Sequence, residues 1–243
     1  MSDRRLAGRV ALVTGASGDL GRAIALALGA EGARMCVVGR DEGRLARTTD
    51  ELRGKDVDVL AVAADLTDSA RTDGLAGRIE GELGGLDILV HCAGIYARGA
   101  HEDSTVDGMD EQYRANVRAP YQLTKAVLPM LTARRGDVFF VNSTQGTAAA
   151  GGLGQFAATQ HAMRAVADSL RAEVNPSGVR VTTLHLGRTA TSRQQGIFAA
   201  EGRPYPPDQL IAPRDVADLV VAAVTLPNRT QLTTLTVWPT RKV

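Results

Sequence analysis

Val10-Ala-Leu-Val-Thr14-Gly15-Ala-Ser17-Gly18-Asp19-Leu20-Gly21-Arg-Ala-Ile-Ala-Leu-Ala-Leu28 is the stretch on which the fold turns. A short apolar run enters a glycine-rich turn and leaves it as an Ala-rich segment of helical period. Glycines in that position permit a tight turn and let backbone N–H groups at a helix N-terminus approach a pyrophosphate, which the helix dipole also favours. A lone glycine pattern is weak evidence. The strand before it and the helix after it give this one its weight.

Working outward, short β-branched runs alternate with helical stretches, the signature of a parallel sheet covered on both faces. The runs predict strands at Val10–Thr14, Arg34–Val38, Val57–Val62, Asp87–His91, Val138–Asn142, Val179–His185 and Leu232–Trp238. Their nearly continuous apolar character suits strands buried on both sides. Helices are expected near 19–30, 41–53, 67–83, 104–133, 154–174 and 213–225, with Pro120 and Pro129 marking a kink and an end in the fourth. The stretch from Ala190 to Pro213 carries Gly196, Gly202, Pro204, Pro206 and Pro207, and reads as one long irregular segment that forms a lid over a cleft. The fold class is therefore α/β: a doubly wound, Rossmann-like parallel sheet of about seven strands, as a single domain over 1–243.

Composition agrees. At 243 residues, 44% hydrophobic and 23% charged, the chain suits one soluble core. The net charge of +1 comes without a basic run, so a nucleic-acid footprint has no support. No stretch of about 20 apolar residues predicts a membrane span, and the start reads as a first strand, not a secretion signal. Cys36 and Cys92 fall in apolar runs, which predicts free thiols and a cytoplasmic location. No metal site is assigned.

From this point the sequence resembles the short-chain dehydrogenase/reductase family over essentially its whole length. The family's usual pattern places glycine at position 19, where this chain has Asp19; the spacing Gly15, Gly18, Gly21 looks like a variant of its longer members. The resemblance assigns Gly15, Ser17, Gly18, Asp19, Leu20 and Gly21 to the pyrophosphate turn. Asp19 brings a carboxylate towards the phosphates, which is unfavourable unless it turns outward. The second strand ends Val38-Gly39-Arg40, where a cation favours the 2′-phosphate of NADP(H) over the ribose of NAD(H); a cap on a surface turn is the plainer role for Arg40. Asp65, followed by Leu66, resembles the family's adenine contact, or else caps a helix. Cys92, Ala93 and Gly94 follow His91 where the family shows two asparagines before Ala-Gly. Gly187, Thr189 and Thr191 resemble its Pro-Gly turn, with Leu186 in place of the proline.

For the reaction the resemblance implies an Asn, a Ser, a Tyr and a Lys. Asn116 and Ser143 match the first two. The tyrosine belongs thirteen positions after the serine and the lysine four beyond it, and there the chain has Phe156 and Gln160. Phenylalanine has no exchangeable proton, whereas a Gln160 amide can still donate to a ribose hydroxyl. Tyr96, His161 and Tyr205 are candidate substitute proton donors on segments expected to border the cleft, Tyr96 foremost; packing on the substrate wall is the plainer role for the two tyrosines, and a surface or interface position for His161. Ser143 and Asn116 have bland alternatives, satisfying backbone at a strand end and bracing a helix kink. Gly146–Gly154 with Ile197, Phe198 and Leu210 suggests a small, largely apolar substrate. The readings that follow are an atypical NADP(H)-dependent oxidoreductase on a carbonyl, alcohol or activated double bond, a dinucleotide-binding protein without catalysis, or non-redox chemistry in the same cleft. A homo-oligomer, dimer or tetramer, is expected through helices 104–133 and 154–174.

Overall fold

A computed structural model describes residues 4–241, so the outermost ends of the expected 1–243 domain lie outside the described residues. Seven strands form one sheet, β1 (Val10–Thr14), β2 (Arg34–Gly39), β3 (Val59–Ala63), β4 (Ile88–His91), β5 (Asp137–Ser143), β6 (Arg180–Leu186) and β7 (Thr234–Val237). All neighbours pair in parallel, in the order β3-β2-β1-β4-β5-β6-β7. Alternate residues of each strand point to opposite faces and build two cores. Ala11, Val13, Met35, Val37 and Ile88 pack under α1 (Asp19–Ala30), α2 (Glu42–Arg53) and α8 (Pro213–Val224). Val10, Leu12, Cys36, Leu89 and Val138 pack under α3 (Ser69–Leu83), α5 (Ala119–Arg134) and α6 (Gly154–Val174).

Several expected boundaries move for local reasons. Asp41 and Asp68 stand outside α2 and α3 as caps, their carboxylates accepting from the amides of Arg44 (2.8 Å) and Ala70 (3.0 Å). Asp87 does not begin β4. Its carboxylate instead accepts from Val10 N at 2.9 Å. Strand β3 is shifted to Val59–Ala63, and β7 is shorter than expected because it is a half-exposed edge.

The single helix expected over 104–133 is two. Thr105 caps α4 (Val106–Tyr113), a π-turn spans Arg114–Arg118, and α5 follows with Pro120 in its first turn. Pro129 does not end the helix. It sits inside α5, which runs on until Arg135 adopts φ +51. The lid is not irregular either: it contains α7 (Ser192–Ala200), capped by Thr191, whose Oγ1 accepts from Gln194 N at 3.2 Å.

Because the chain moves outward from β1 to β3 and then crosses to β4 on the other side of β1, the strand order reverses between β1 and β4. Parallel sheets of this kind open a crevice at the carboxyl ends of those two strands.

Candidate active site

A cleft of about 980 Å³ lies there, running over the ends of β1, β2 and β3 in one direction and of β4, β5 and β6 in the other. Gly15 has φ +68, and a Cβ on it would stand 2.8 Å from Ala93 N; a side chain on Gly21 would strike the carbonyl of Gly15. These glycines are therefore fixed by close packing of β1, α1 and the β4 loop, not by sequence habit. Thr14 locks the same junction, its Oγ1 accepting from both Cys92 N and Ala93 N at 3.1 Å. Thr48 of α2 donates to Ala16 O at 2.9 Å and holds the turn from the other side. Gly18 caps α1 with no side-chain bond, so the first-turn N–H groups face the cleft side open for an anion.

Asp19 does turn away from the turn's backbone. One carboxylate oxygen accepts from Ser192 N at 2.6 Å and the other lies 3.5 Å from Arg44. Burial pushes its carboxyl up, but the Ser192 bonds and the Arg44 and Arg22 charges outweigh that and hold it below its ordinary value. The residue thus ties the start of α1 to the start of the lid helix. At the far end, Arg40 stands 3.9 Å from Asp65 and both are exposed. Asp65 caps neither helix. It folds onto Thr67, accepting from its amide at 2.9 Å and its hydroxyl at 2.8 Å.

Towards β4 the replacements are satisfied. His91 is buried, stacks on Phe140 with ring centroids 4.9 Å apart, and meets Thr124 Oγ1 at 2.7 Å. Burial lowers its pKa to about 3, so the ring is neutral. Both cysteines are free thiols, pushed up to about 12 by burial. Leu186 ends β6, and Gly187 N donates to Val237 O at 2.8 Å, fixing the turn without a proline.

Asn116 sits in the π-turn with its side chain clamped on the β4 loop. Its Oδ1 accepts from Ile95 N at 2.8 Å, and its Nδ2 donates to Ile95 O at 3.0 Å and to Thr159 Oγ1 at 3.1 Å. Ser143 Oγ accepts from Gln145 N at 3.2 Å, which leaves its O–H free to donate. Phe156 and Gln160 both line the cleft from α6; among the described residues the Gln160 amide has only a 3.5 Å contact to Thr159 Oγ1. Tyr96 packs edge-on against Phe156, centroids 5.0 Å apart. Burial raises its phenol pKa, opposed by Arg98.

A sequence model of the short chain dehydrogenases matches residues 9–202. This chain is a short-chain dehydrogenase/reductase. It is 35% identical over 239 residues, 96% of this chain and 92% of the relative, to an uncharacterized short-chain type dehydrogenase/reductase, y4eK, of Sinorhizobium fredii. The match to the glycine betaine reductase ATRR of Emericella nidulans, 30% over 240 residues, spans only 19% of that longer protein. Among solved structures, a short chain dehydrogenase from Burkholderia cenocepacia in complex with NADP superimposes with a TM-score of 0.87 at 30% identity, covering 97% of this chain and 98% of that one.

In this short-chain dehydrogenase/reductase the lid rearranges the sequence expectations. Tyr205 and His161 do not line the cleft: Tyr205 packs on Phe198 and reaches Thr191 O at 3.5 Å, and His161 bonds Ala157 O within its own helix. Of the apolar lid residues, Ile197 faces the cleft whereas Phe198 and Leu210 are buried beneath it. Two features escaped the sequence. Arg193 reaches across the cleft from α7 to donate to Gly94 O at 2.6 Å, and Arg98, Arg188 and Arg203 gather on Glu201. The chain's preference for arginine over lysine gives no signal here, because Arg98, Arg188, Arg193 and Arg203 are scattered over separate segments and no spacing rule says which of them turn inward. Among the described residues no helix is long and apolar enough to cross a membrane.

Proposed function

We propose that this short-chain dehydrogenase/reductase is an NADP(H)-dependent oxidoreductase for the carbonyl or alcohol of a small substrate, with proton delivery moved from position 156 to Tyr96. The observation that carries it is the contact of the Tyr96 ring with Phe156 inside the cleft. The cradle fits a dinucleotide: Gly15 and Gly21 admit nothing larger at the turn, and Arg193 lines the cleft beside Gly94 with no carboxylate partner among the described residues. Gly18, Leu20 and Arg193 would hold the diphosphate, Arg40 the 2′-phosphate, Asp65 and Leu66 the adenine, and Gln160, Gly187, Thr189 and Thr191 the nicotinamide half, with Ala93 and Gly94 under the ring. Bound there, the nicotinamide supplies or accepts the hydride.

The chain's own residues do the rest. Ser143 donates its free O–H to the substrate oxygen, a contact worth about 100- to 1000-fold where charge develops. Asn116 positions Tyr96 by fixing the neighbouring Ile95 at both backbone groups. Tyr96 passes its proton to the same oxygen, a step typically worth about 100- to 10,000-fold. Its raised pKa makes it a poor donor at neutral pH, so turnover is slow. The second reading, dinucleotide binding without turnover, is favoured by Phe156 itself, which can transfer no proton. The reduced thiols agree with a cytoplasmic protein, and exposed Val106, Met109, Tyr113 and Tyr121 on α4 and α5 offer an apolar face to a second copy of the chain.

Trp238, the one tryptophan, lies beside Gly187, which lines the cleft, and its fluorescence is expected to respond to a bound cofactor. Titrated NADPH should quench it saturably, and Arg40→Ala should weaken NADPH by about 10- to 100-fold while leaving NADH unchanged. Tyr96→Phe should bind NADPH as before and cease to consume it with a ketone. Absence of saturable NADPH binding, by quenching and by calorimetry, sinks the oxidoreductase and the binding protein together; unchanged consumption by Tyr96→Phe removes Tyr96 from the reaction.

A further inference from the structure

The β4–β6 end of the cleft holds a charge arrangement that a dinucleotide does not use. Arg98 follows β4, Arg188 follows β6 and Arg203 lies just beyond α7, yet all three converge on one carboxylate. Glu201 Oε1 accepts from Arg98 Nη1 and Arg188 Nη2, both at 2.8 Å, and Oε2 accepts from Arg188 Nη2 at 3.0 Å and Arg203 Nη1 at 3.2 Å. Bonds from Arg188 above all hold the Glu201 carboxyl below the usual range, so it counts as a full negative charge. Three cations against one anion leave two positive charges in excess.

A brace that merely closed the lid needs no such excess. Crowding like charges costs free energy unless an anion joins them. Arg188 shows what is missing: its guanidinium lies 4.7 Å over the Phe198 ring, and its Nη1 is buried with no hydrogen-bond partner among the described residues. The cofactor's phosphates do not meet this need. The diphosphate belongs over the start of α1, and a 2′-phosphate at Arg40 over β2, whereas Arg98 and Arg188 lie on the opposite side of β1.

What does lie beside them is the reacting position. Arg98, Arg188 and Glu201 line the same cleft as Ser143 and Phe156, and Tyr96, whose ring touches Phe156, feels the charges of all three. We propose that the substrate carries a carboxylate, received by Arg98 and Arg188, next to the carbonyl or hydroxyl that reacts: it is a keto or hydroxy acid. The planar, two-pronged guanidinium matches a carboxylate edge to edge, which selects that anion. This revises the apolar substrate expected from the lid. The identity of the reacting group rests on the oxidoreductase reading above; the acid site stands on binding alone.

The test is calorimetric binding of short 2-, 3- and 4-oxo carboxylates and their methyl esters to the full chain, with and without NADPH, alongside the Trp238 titration. At least one acid should bind about 10- to 100-fold tighter than its ester. Arg98→Gln, at a side chain 44% exposed and so tolerant of change, should erase most of that difference, and Arg98→Lys should restore part of it. An Arg188→Gln protein that stays folded should lose the rest. Esters that equal their acids across the panel, or an acid preference untouched by both glutamine variants, overturn the proposal. Failure of NADPH to bind, by calorimetry as by Trp238 quenching, overturns the oxidoreductase reading instead, and leaves an acid preference standing.

Discussion

Position 156 places a phenyl ring beside a tyrosine, and the difference of one hydroxyl sets what each can do. Under the proposed reading, Phe156→Tyr with Gln160→Lys supplies both a phenol and the cation that lowers its pKa. The double variant should raise ketone reduction by about 100-fold or more, read as NADPH consumption; no gain in a folded protein argues that the cleft serves other chemistry. His91 makes a second residue-scale prediction. Its folded pKa, near 3, lies below the ordinary 6.5 because the ring is buried. Between those values the unfolded chain binds a proton that the folded chain does not, so stability is full above pH 6.5 and falls as pH drops towards 3, on the order of 1 kcal/mol per unit. His91→Asn should flatten the difference in urea midpoint between pH 7 and pH 5, and an unchanged slope would assign it to other groups. That His91, Cys92, Phe156 and Gln160 stand where the family resemblance implies other residues was legible in the sequence. What they touch was not, since Thr124 and Tyr96 come from other segments.

Elements meet at Asp19, which joins the first turn of α1 to the first turn of α7 across 173 positions of sequence. A carboxylate at a helix N-terminus favours that helix by the same dipole that draws phosphate. Asp19→Ala should therefore speed amide hydrogen exchange through residues 192–200 about 10-fold, with α1 little changed, because α1 is held by its own packing against α8. Uniform exchange in the two proteins would mean that the lid is held elsewhere. The π-turn at Arg114–Arg118 shows the opposite balance. Over 104–133 the sequence offers a helix-period pattern broken only at Pro120 and Pro129, and nothing local marks an extra residue in the turn at 114–118. The turn is retained where Asn116 reaches both backbone groups of Ile95, and π-turns of this kind gather at functional sites.

The whole molecule is also pinned at the end away from the cleft. Asp137, at the start of β5, is buried between Arg9 at 2.8 Å and Arg180 at 2.7 Å, and Arg180 goes on to carbonyls at the end of α8. Asp137→Asn strands a buried guanidinium, which costs about 3 to 5 kcal/mol. A fall in Tm of roughly 10 °C should follow, and a fall of only a degree or two would show the network to be dispensable. The sequence by itself determined the alternation of strand and helix, the two-faced burial and the glycine turn, because each is a repeat or spacing within a short stretch and backbone geometry alone translates it; the register of the site residues came from the family resemblance. Only the tertiary structure decided which arginines enter the cleft, that Asp19 serves the lid, that Tyr96 stands against Phe156, and that the lid is helical. Those contacts join segments far apart in the chain, and their energies depend on distance, burial and competing partners that exist once the sheet has closed.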